Sequence, residues 1–199
     1  MFDGVGRRRD ESTGQLVSIG EHSLNGYERD CLFRNNGDGT FTDVAYVANT
    51  DRVEDGRGLS VFDYNLDGTL DVALRNYQQP AQLLRNASDP GHWLELKLIG
   101  TDSNRDAVGA RITVESGGVH QTREIRSGSG YLSGSSLIAH FGLGANDRIE
   151  SILVRWPSGR ESTLTEVTVN QRLMLREGAE DAVPVRRWIY AEPELTAAE

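Results

Sequence analysis

Cysteine, positive charge and long apolar runs are all scarce in this 199-residue sequence, and each shortage excludes a class of protein. The single cysteine, Cys31, cannot form an intramolecular disulfide, and we expect it to be half-buried and inert within a strand. No apolar run approaches the roughly 20 residues of a membrane-spanning helix, so we expect no membrane span. The net charge of −9 argues against a nucleic-acid partner, because an acidic surface repels phosphates.

Histidine is also sparse, whereas glycine is abundant. The four histidines share no ligand-like spacing, which argues against a zinc site: His22, His92, His120 and His140. The sequence has 22 glycines and a hydrophobic content of 37 %. This composition is typical of a turn-rich β protein.

Alternating apolar and polar residues, separated by Gly, Asn and Asp clusters, predict an all-β fold with no helix before residue 177. The first half contains five short predicted strands: 29–34, 40–47, 57–62, 69–75 and 81–85. After the break at residues 89–91, the second half contains seven: 93–99, 110–115, 119–126, 137–141, 149–156, 162–168 and 172–176. Seven strands with turn signals every eight to twelve residues or so are typical of a β-sandwich.

These patterns predict four segments along the chain. They are an N-terminal extension (1–24), a first β-rich segment (25–90), the seven-stranded sandwich (91–176) and an acidic, alanine-rich tail (177–199). Within the tail, residues 183–190 include Trp188 and Tyr190, and we expect this part to pack on the body of the protein.

The most informative motif is the acidic loop, Asp63–Asp71, which reads Asp-Tyr-Asn-Leu-Asp-Gly-Thr-Leu-Asp. Oxygen side chains occupy relative positions one, three, five and nine, and a glycine that permits a sharp turn occupies position six. This spacing predicts a Ca²⁺ site. Its predicted ligands are the side chains of Asp63, Asn65, Asp67 and Asp71 and the backbone carbonyl near Thr69. The loop is not an EF-hand, because position twelve is Leu74 and the flanking residues predict strands.

The alternative interpretation of the acidic loop is a polar hairpin turn, since Asp, Asn and Gly adopt turn conformations without a metal. Three carboxylates within nine residues would repel one another in a bare turn, and a divalent cation removes that repulsion. The similar run Asn35–Thr40 lacks the alternating ligand pattern. We therefore interpret it as a hairpin turn whose glycines have positive φ.

Several stretches together resemble known families. Residues 32–44 and 56–72 resemble the FG-GAP, or VCBS, repeat, which forms β-propeller blades. Four further blocks resemble the ASPIC/UnbV domain, the C-terminal module of cartilage acidic protein-like proteins: 103–114, 126–133, 140–144 and 154–160. The resemblance implies a short propeller-blade-like half packed on an ASPIC/UnbV sandwich. About ninety residues supply one or two blades, whereas a closed propeller needs about four.

The resemblance also implies calcium binding through the acidic loop and an extracellular or cell-surface setting. The N-terminal residues lack the pattern of a secretory signal, so a cytoplasmic protein is the alternative. We expect a recognition or adhesion module without catalysis of its own. Its expected partners are calcium and a carbohydrate or protein ligand, and exposed sheet edges make a homo-oligomer a further expectation.

A competing hypothesis is a small calcium-dependent enzyme whose site is built on the second half. The candidate catalytic residues for that hypothesis are Asp106, Arg126, Tyr131 and His140. Such a site requires these groups to converge in one pocket. Each also has a structural interpretation, because loop carboxylates cap backbone amides and a histidine beside an apolar strand residue is commonly structural.

Overall fold

The computed structural model describes residues 28–89 and 91–185, together with the backbone of two short N-terminal strands. All regular structure in these residues is β, as the sequence predicts, and no helix occurs among them. The chain forms two compact units. The first contains the described residues up to Val61, together with Asp71–Arg85 and Ser129–Ser135, and the second contains the other described residues.

The first unit consists of small sheets. Its strands are β1 (Arg7–Arg9), β2 (Leu16–Ser18), β3 (Phe33–Asn35), β4 (Phe41–Asp43), β5 (Gly56–Phe62), β6 (Asp71–Asn76) and β7 (Gln82–Leu84). β1 pairs with β2, β3 pairs with β4, and the other three form a sheet in the order β5-β6-β7. The strands predicted at 57–62, 69–75 and 81–85 therefore exist with small shifts of their ends.

Two predictions for the first unit are wrong in detail. The strand predicted at 29–34 begins only at Phe33, so Cys31 precedes it and is exposed rather than half-buried. The strand predicted at 40–47 ends at Asp43, because the Asp43 carboxylate accepts the backbone N–H of Ala45 at 2.9 Å. Such a local side-chain bond offers the backbone an alternative to the sheet ladder.

The turn between β3 and β4 has the predicted conformation. Gly37 and Gly39 adopt φ angles of +82° and +88°, and the N–H of Asn36 donates to the carbonyl of Thr40 at 3.0 Å. The Asp38 carboxylate accepts both the backbone N–H and the hydroxyl of Thr40, at 2.9 and 2.6 Å. This Asp-Gly-Thr turn is a useful comparison for the acidic loop, which contains the same tripeptide.

The second unit contains two four-stranded sheets. Its strands are β8 (His92–Ile99), β9 (Arg111–Ser116), β10 (Val119–Glu124), β11 (Ile138–Gly144), β12 (Arg148–Arg155), β13 (Glu161–Thr168), β14 (Gln171–Arg176) and β15 (Val183–Pro184). One sheet has the order β10-β9-β12-β13 and the other β11-β8-β14-β15. There is one strand more than the seven expected, because Val183 and Pro184 pair with β14. Trp188 and Tyr190 lie outside the described residues.

Both sheets contribute side chains to one hydrophobic core. On β8, the buried residues Leu94, Leu96 and Leu98 alternate with residues that face away from this core, as expected for a strand with a side-chain period of two. Glu95 lies on the opposite face and is nevertheless only 2 % exposed. Its neighbours on the flanking strands are His140 of β11 and Arg172 of β14. On this outer face, His140 contacts Gly68 of the acidic loop.

Candidate metal centre

The Asp63 side chain holds the acidic loop in a tight turn by bonding its backbone. This residue follows β5 and is 5 % exposed. Its two carboxylate oxygens accept the backbone N–H groups of Asp67 at 3.2 Å and Gly68 at 2.9 Å. Leu66 and Gly68 adopt positive φ angles of 60° and 89°, a conformation typical of tight turns. The first predicted ligand therefore shapes the loop as well as supplying oxygen.

Asp67 joins the middle of the loop. One of its carboxylate oxygens accepts the backbone N–H of Thr69 at 2.9 Å as well as the Thr69 hydroxyl, and the other accepts the Asn65 side-chain amide at 2.7 Å. Three of the predicted ligand residues are thus in direct contact.

The donor set of the acidic loop is all oxygen, which fits the preference of Ca²⁺. Thr69 is 4 % exposed, and Asp71, which opens β6 in the first unit, is fully buried. Within the residues that the structure describes, however, no three His, Cys, Asp or Glu side chains are grouped closely enough to hold a metal ion. A site here therefore needs the Asn65 amide oxygen and a backbone carbonyl in addition to carboxylates.

Gly68 is fixed by two side chains of the second unit, which we call the Trp93–His140 seat. A Cβ atom added to Gly68 would lie 2.1 Å from the indole Nε1 of Trp93, so the ring is directly against this glycine. The Nε2 atom of His140 lies 2.9 Å from the Gly68 carbonyl oxygen. This contact has no signal in the sequence, because His140 and Gly68 are 72 positions apart and belong to separate motifs.

The four candidate catalytic residues share no hydrogen-bond partner among the contacts that the structure describes. In the second unit, Asp106 is exposed, Arg126 donates to Glu124 at 2.9 Å, and His140 bonds Gly68. Tyr131 belongs to the first unit and is 78 % exposed. Arg126 and His140 therefore have different hydrogen-bond partners, and the convergence of the four groups in one pocket stays a prediction.

A cavity of about 380 Å³ lies in the second unit, beside β13, β14 and β15. The residues that line it include Thr165, Glu166, Thr168 and Glu180. None of the four candidate catalytic residues and none of the predicted metal ligands lines it. It is therefore separate from every site that the sequence predicts.

The sequence also gave no signal for Glu177, a buried carboxylate at the end of β14. Three successive backbone N–H groups, those of residues 101–103, donate to one of its oxygens at 2.8 to 3.0 Å. The hydroxyls of Ser103 and Ser158 donate to the other oxygen. Burial alone would raise the pKa of Glu177, but these hydrogen bonds outweigh it and lower the pKa to about 2. In its ionised form, Glu177 therefore connects the end of β14 with the loops that contain residues 101–103 and Ser158.

Comparison with known families supports the sequence resemblance. Residues 100–182 match the family model described as ASPIC and UnbV, and residues 16–74 match the model of the FG-GAP-like repeat. The chain is thus similar to an FG-GAP-like repeat over residues 16–74 and to ASPIC and UnbV over residues 100–182. The FG-GAP-like match begins within the segment expected as an N-terminal extension, and it includes the acidic loop.

The relatives that the chain matches carry the name cartilage acidic protein 1. The protein from Homo sapiens is 36 % identical over 111 residues, which are 53 % of this chain and 16 % of that protein. The protein from Xenopus tropicalis is 34 % identical over 137 residues, which are 64 % of this chain and 21 % of that protein. The chain thus spans about a fifth of the length of these relatives. Its described residues contain no helix long and apolar enough to cross a membrane.

Proposed function

We propose that this chain is a calcium-stabilised, extracellular recognition or adhesion module without catalysis of its own. The observation that carries the proposal is the conformation of the acidic loop. Its first carboxylate, on Asp63, is buried, and Asp67 already bonds both Asn65 and Thr69 within the same unit. Asp71 is the fourth side-chain ligand that the sequence spacing adds.

Calcium binding to the acidic loop would stabilise the fold, because the unfolded chain does not hold these oxygens together. The loop connects β5 to β6, so ordering it also fixes the connection between two strands of the FG-GAP-like repeat. Ca²⁺ supplies the positive charge that offsets the repulsion among the aspartates. The extracellular part of the proposal draws support from the relatives, whose name refers to cartilage.

The test is a thermal melt of chelator-treated protein with and without CaCl₂, combined with calorimetric titration. At a calcium concentration of 100 times Kd, binding should stabilise the folded protein by about 2.7 kcal/mol. Asp67→Asn should abolish most of that gain, because it removes a charged ligand and keeps the side-chain shape.

Asp38→Asn is the matched control. Asp38 accepts the N–H and hydroxyl of Thr40 as Asp67 accepts those of Thr69, but it lies outside the predicted ligand set. This variant should change the melt equally with and without calcium. If calcium leaves the melting temperature of the wild-type protein unchanged and titration shows no heat of binding, the metal site is refuted. The acidic loop would then be a polar turn without a metal.

A further inference from the structure

We propose that Trp93 and His140 are positioning residues for the metal site, holding the acidic loop at Gly68 so that the ligands on either side of it are preset. The inference rests on the proposed calcium site and assigns it a support on β8 and β11 of the second unit. Neither residue supplies an oxygen to the cation. Their contribution is to restrict the loop to the conformation in which Asp67 and Thr69 are adjacent.

Trp93 restricts the loop by occupying the space that a side chain at position 68 would need. Three ring atoms, Nε1, Cδ1 and Cε2, lie 2.1 to 2.4 Å from the place of a Cβ atom on Gly68. The glycine also adopts a φ of +89°, which other residues disfavour. The loop backbone therefore packs directly on the indole, and this approach is possible only for glycine.

His140 restricts the orientation of one peptide group. Its Nε2 lies 2.9 Å from the Gly68 carbonyl, and since a carbonyl only accepts, Nε2 donates in this bond. The N–H of the same peptide group belongs to Thr69 and donates to Asp67 at 2.9 Å. Because a peptide group is planar, His140 and Asp67 hold opposite edges of one rigid plate. When His140 holds the Gly68 carbonyl, it therefore also orients the Thr69 N–H that donates to the Asp67 carboxylate.

The seat is built on two paired strands. Trp93 lies on β8 and His140 on β11, which pair in antiparallel register with His140 opposite Glu95. Trp93 and Glu95 are two positions apart, so their side chains share the outer face of the sheet with His140. On the neighbouring strand, Arg172 bonds Glu95 at 2.6 Å and ties β14 to the same face. Ligand geometry held by paired strands is more precise than geometry held by a loop alone.

The experiment measures CaCl₂ affinity by calorimetry on the full chain after chelator treatment. His140→Leu removes the donor and should weaken binding about five-fold, the effect of one hydrogen bond of roughly 1 kcal/mol. His140→Gln, whose amide can donate from a similar position, should stay within about two-fold of wild type by the same reasoning. His120→Leu is the matched control on the other sheet, where His120 is exposed, and should leave affinity unchanged.

A second readout follows Trp93 itself. Calcium should change the tryptophan emission of the wild-type protein, and Trp93→Phe should remove that change while Trp156 and Trp188 remain. Circular dichroism in chelator checks that each variant is folded. If His140→Leu does not fold, the polar but shorter His140→Asn replaces it, with the same expected loss of affinity.

Three results would overturn the inference, and they are distinguishable. A wild-type protein that binds no calcium overturns both the proposed function and this inference. Wild-type calcium binding with unchanged affinity in folded His140→Leu or His140→Asn overturns the positioning role alone. If the emission of Trp93→Phe still changes with calcium, the change does not come from Trp93. That result also overturns the positioning role.

Discussion

Replacing Gly68 with alanine should lower the free energy of unfolding of the second unit by about 3 kcal/mol, even when calcium is absent. Two costs add. A non-glycine residue in the left-handed region costs roughly 1–2 kcal/mol, and Gly68 has a φ of +89°. Overpacking a filled site costs roughly 1–3 kcal/mol, and the new Cβ would lie 2.1 Å from Trp93.

Gly159→Ala separates these two costs. Gly159 lies in the same unit and has the same φ of +89°, but nothing lies within 4 Å of a Cβ added there. Gly159→Ala should therefore lower the free energy of unfolding only by the conformational cost, about 1–2 kcal/mol. The assay is urea denaturation in chelator, supported by thermal melts in which each kcal/mol corresponds to about 4 °C for a domain of this size.

The result that would refute this reasoning is equal destabilisation by Gly68→Ala and Gly159→Ala. Equality would mean that the loop moves away from Trp93 at no cost, so the contact with the indole would have no energetic meaning. A larger loss in Gly68→Ala that is partly restored by adding Trp93→Ala would identify the ring as the source of the strain.

Two further predictions concern buried carboxylates of the second unit. Glu95→Ala should cost about 3 kcal/mol in urea denaturation, because it leaves the guanidinium of Arg172 unpaired where only 18 % of that side chain is exposed. The exposed pair of Arg155 and Glu161 is the control, and Glu161→Ala should cost under about 1 kcal/mol, so equal losses would contradict the prediction. Glu177 has a pKa lowered from 4.5 to about 2, so its ionised form stabilises the fold above pH 4.5 and this contribution is lost as the pH falls toward 2. The stability difference between wild type and Glu177→Gln should therefore shrink between pH 6 and pH 3, and a constant difference would contradict the assigned pKa.

The positions of the strands from β5 to β14 could be predicted, because each depends on local alternation. Residues 93–99 alternate cleanly, and β8 occupies His92–Ile99. The fold class follows from the same signal together with the glycine-rich turns. The errors at β3 and β4 also have a local origin, since the cap formed by Asp43 ends a strand that apolar content alone would continue.

The surroundings of the acidic loop could not be predicted, because they depend on long-range pairing. Its ligand spacing is visible within nine residues, but the contacts of Gly68 with Trp93 and His140 appear only once β8 and β11 are paired. The same holds for Glu177, which bonds amides 74 to 76 positions earlier in the chain. Single-sequence patterns carry no information about which distant loops will meet.

The position of β14 has a consequence for synthesis of the protein on the ribosome. β14 pairs in parallel with β8, an interior strand of this sheet, although the paired residues are 77 positions apart. β14 is also among the last described parts of the chain to be synthesised. Contacts of such large sequence separation slow folding, because the connecting chain must be ordered before they form. Until β14 emerges, β8 exposes an unpaired edge that invites aggregation of the nascent chain. A chain that stops before Gln171 would keep that edge open permanently, so we expect such a fragment to be captured by chaperones rather than to accumulate in folded form.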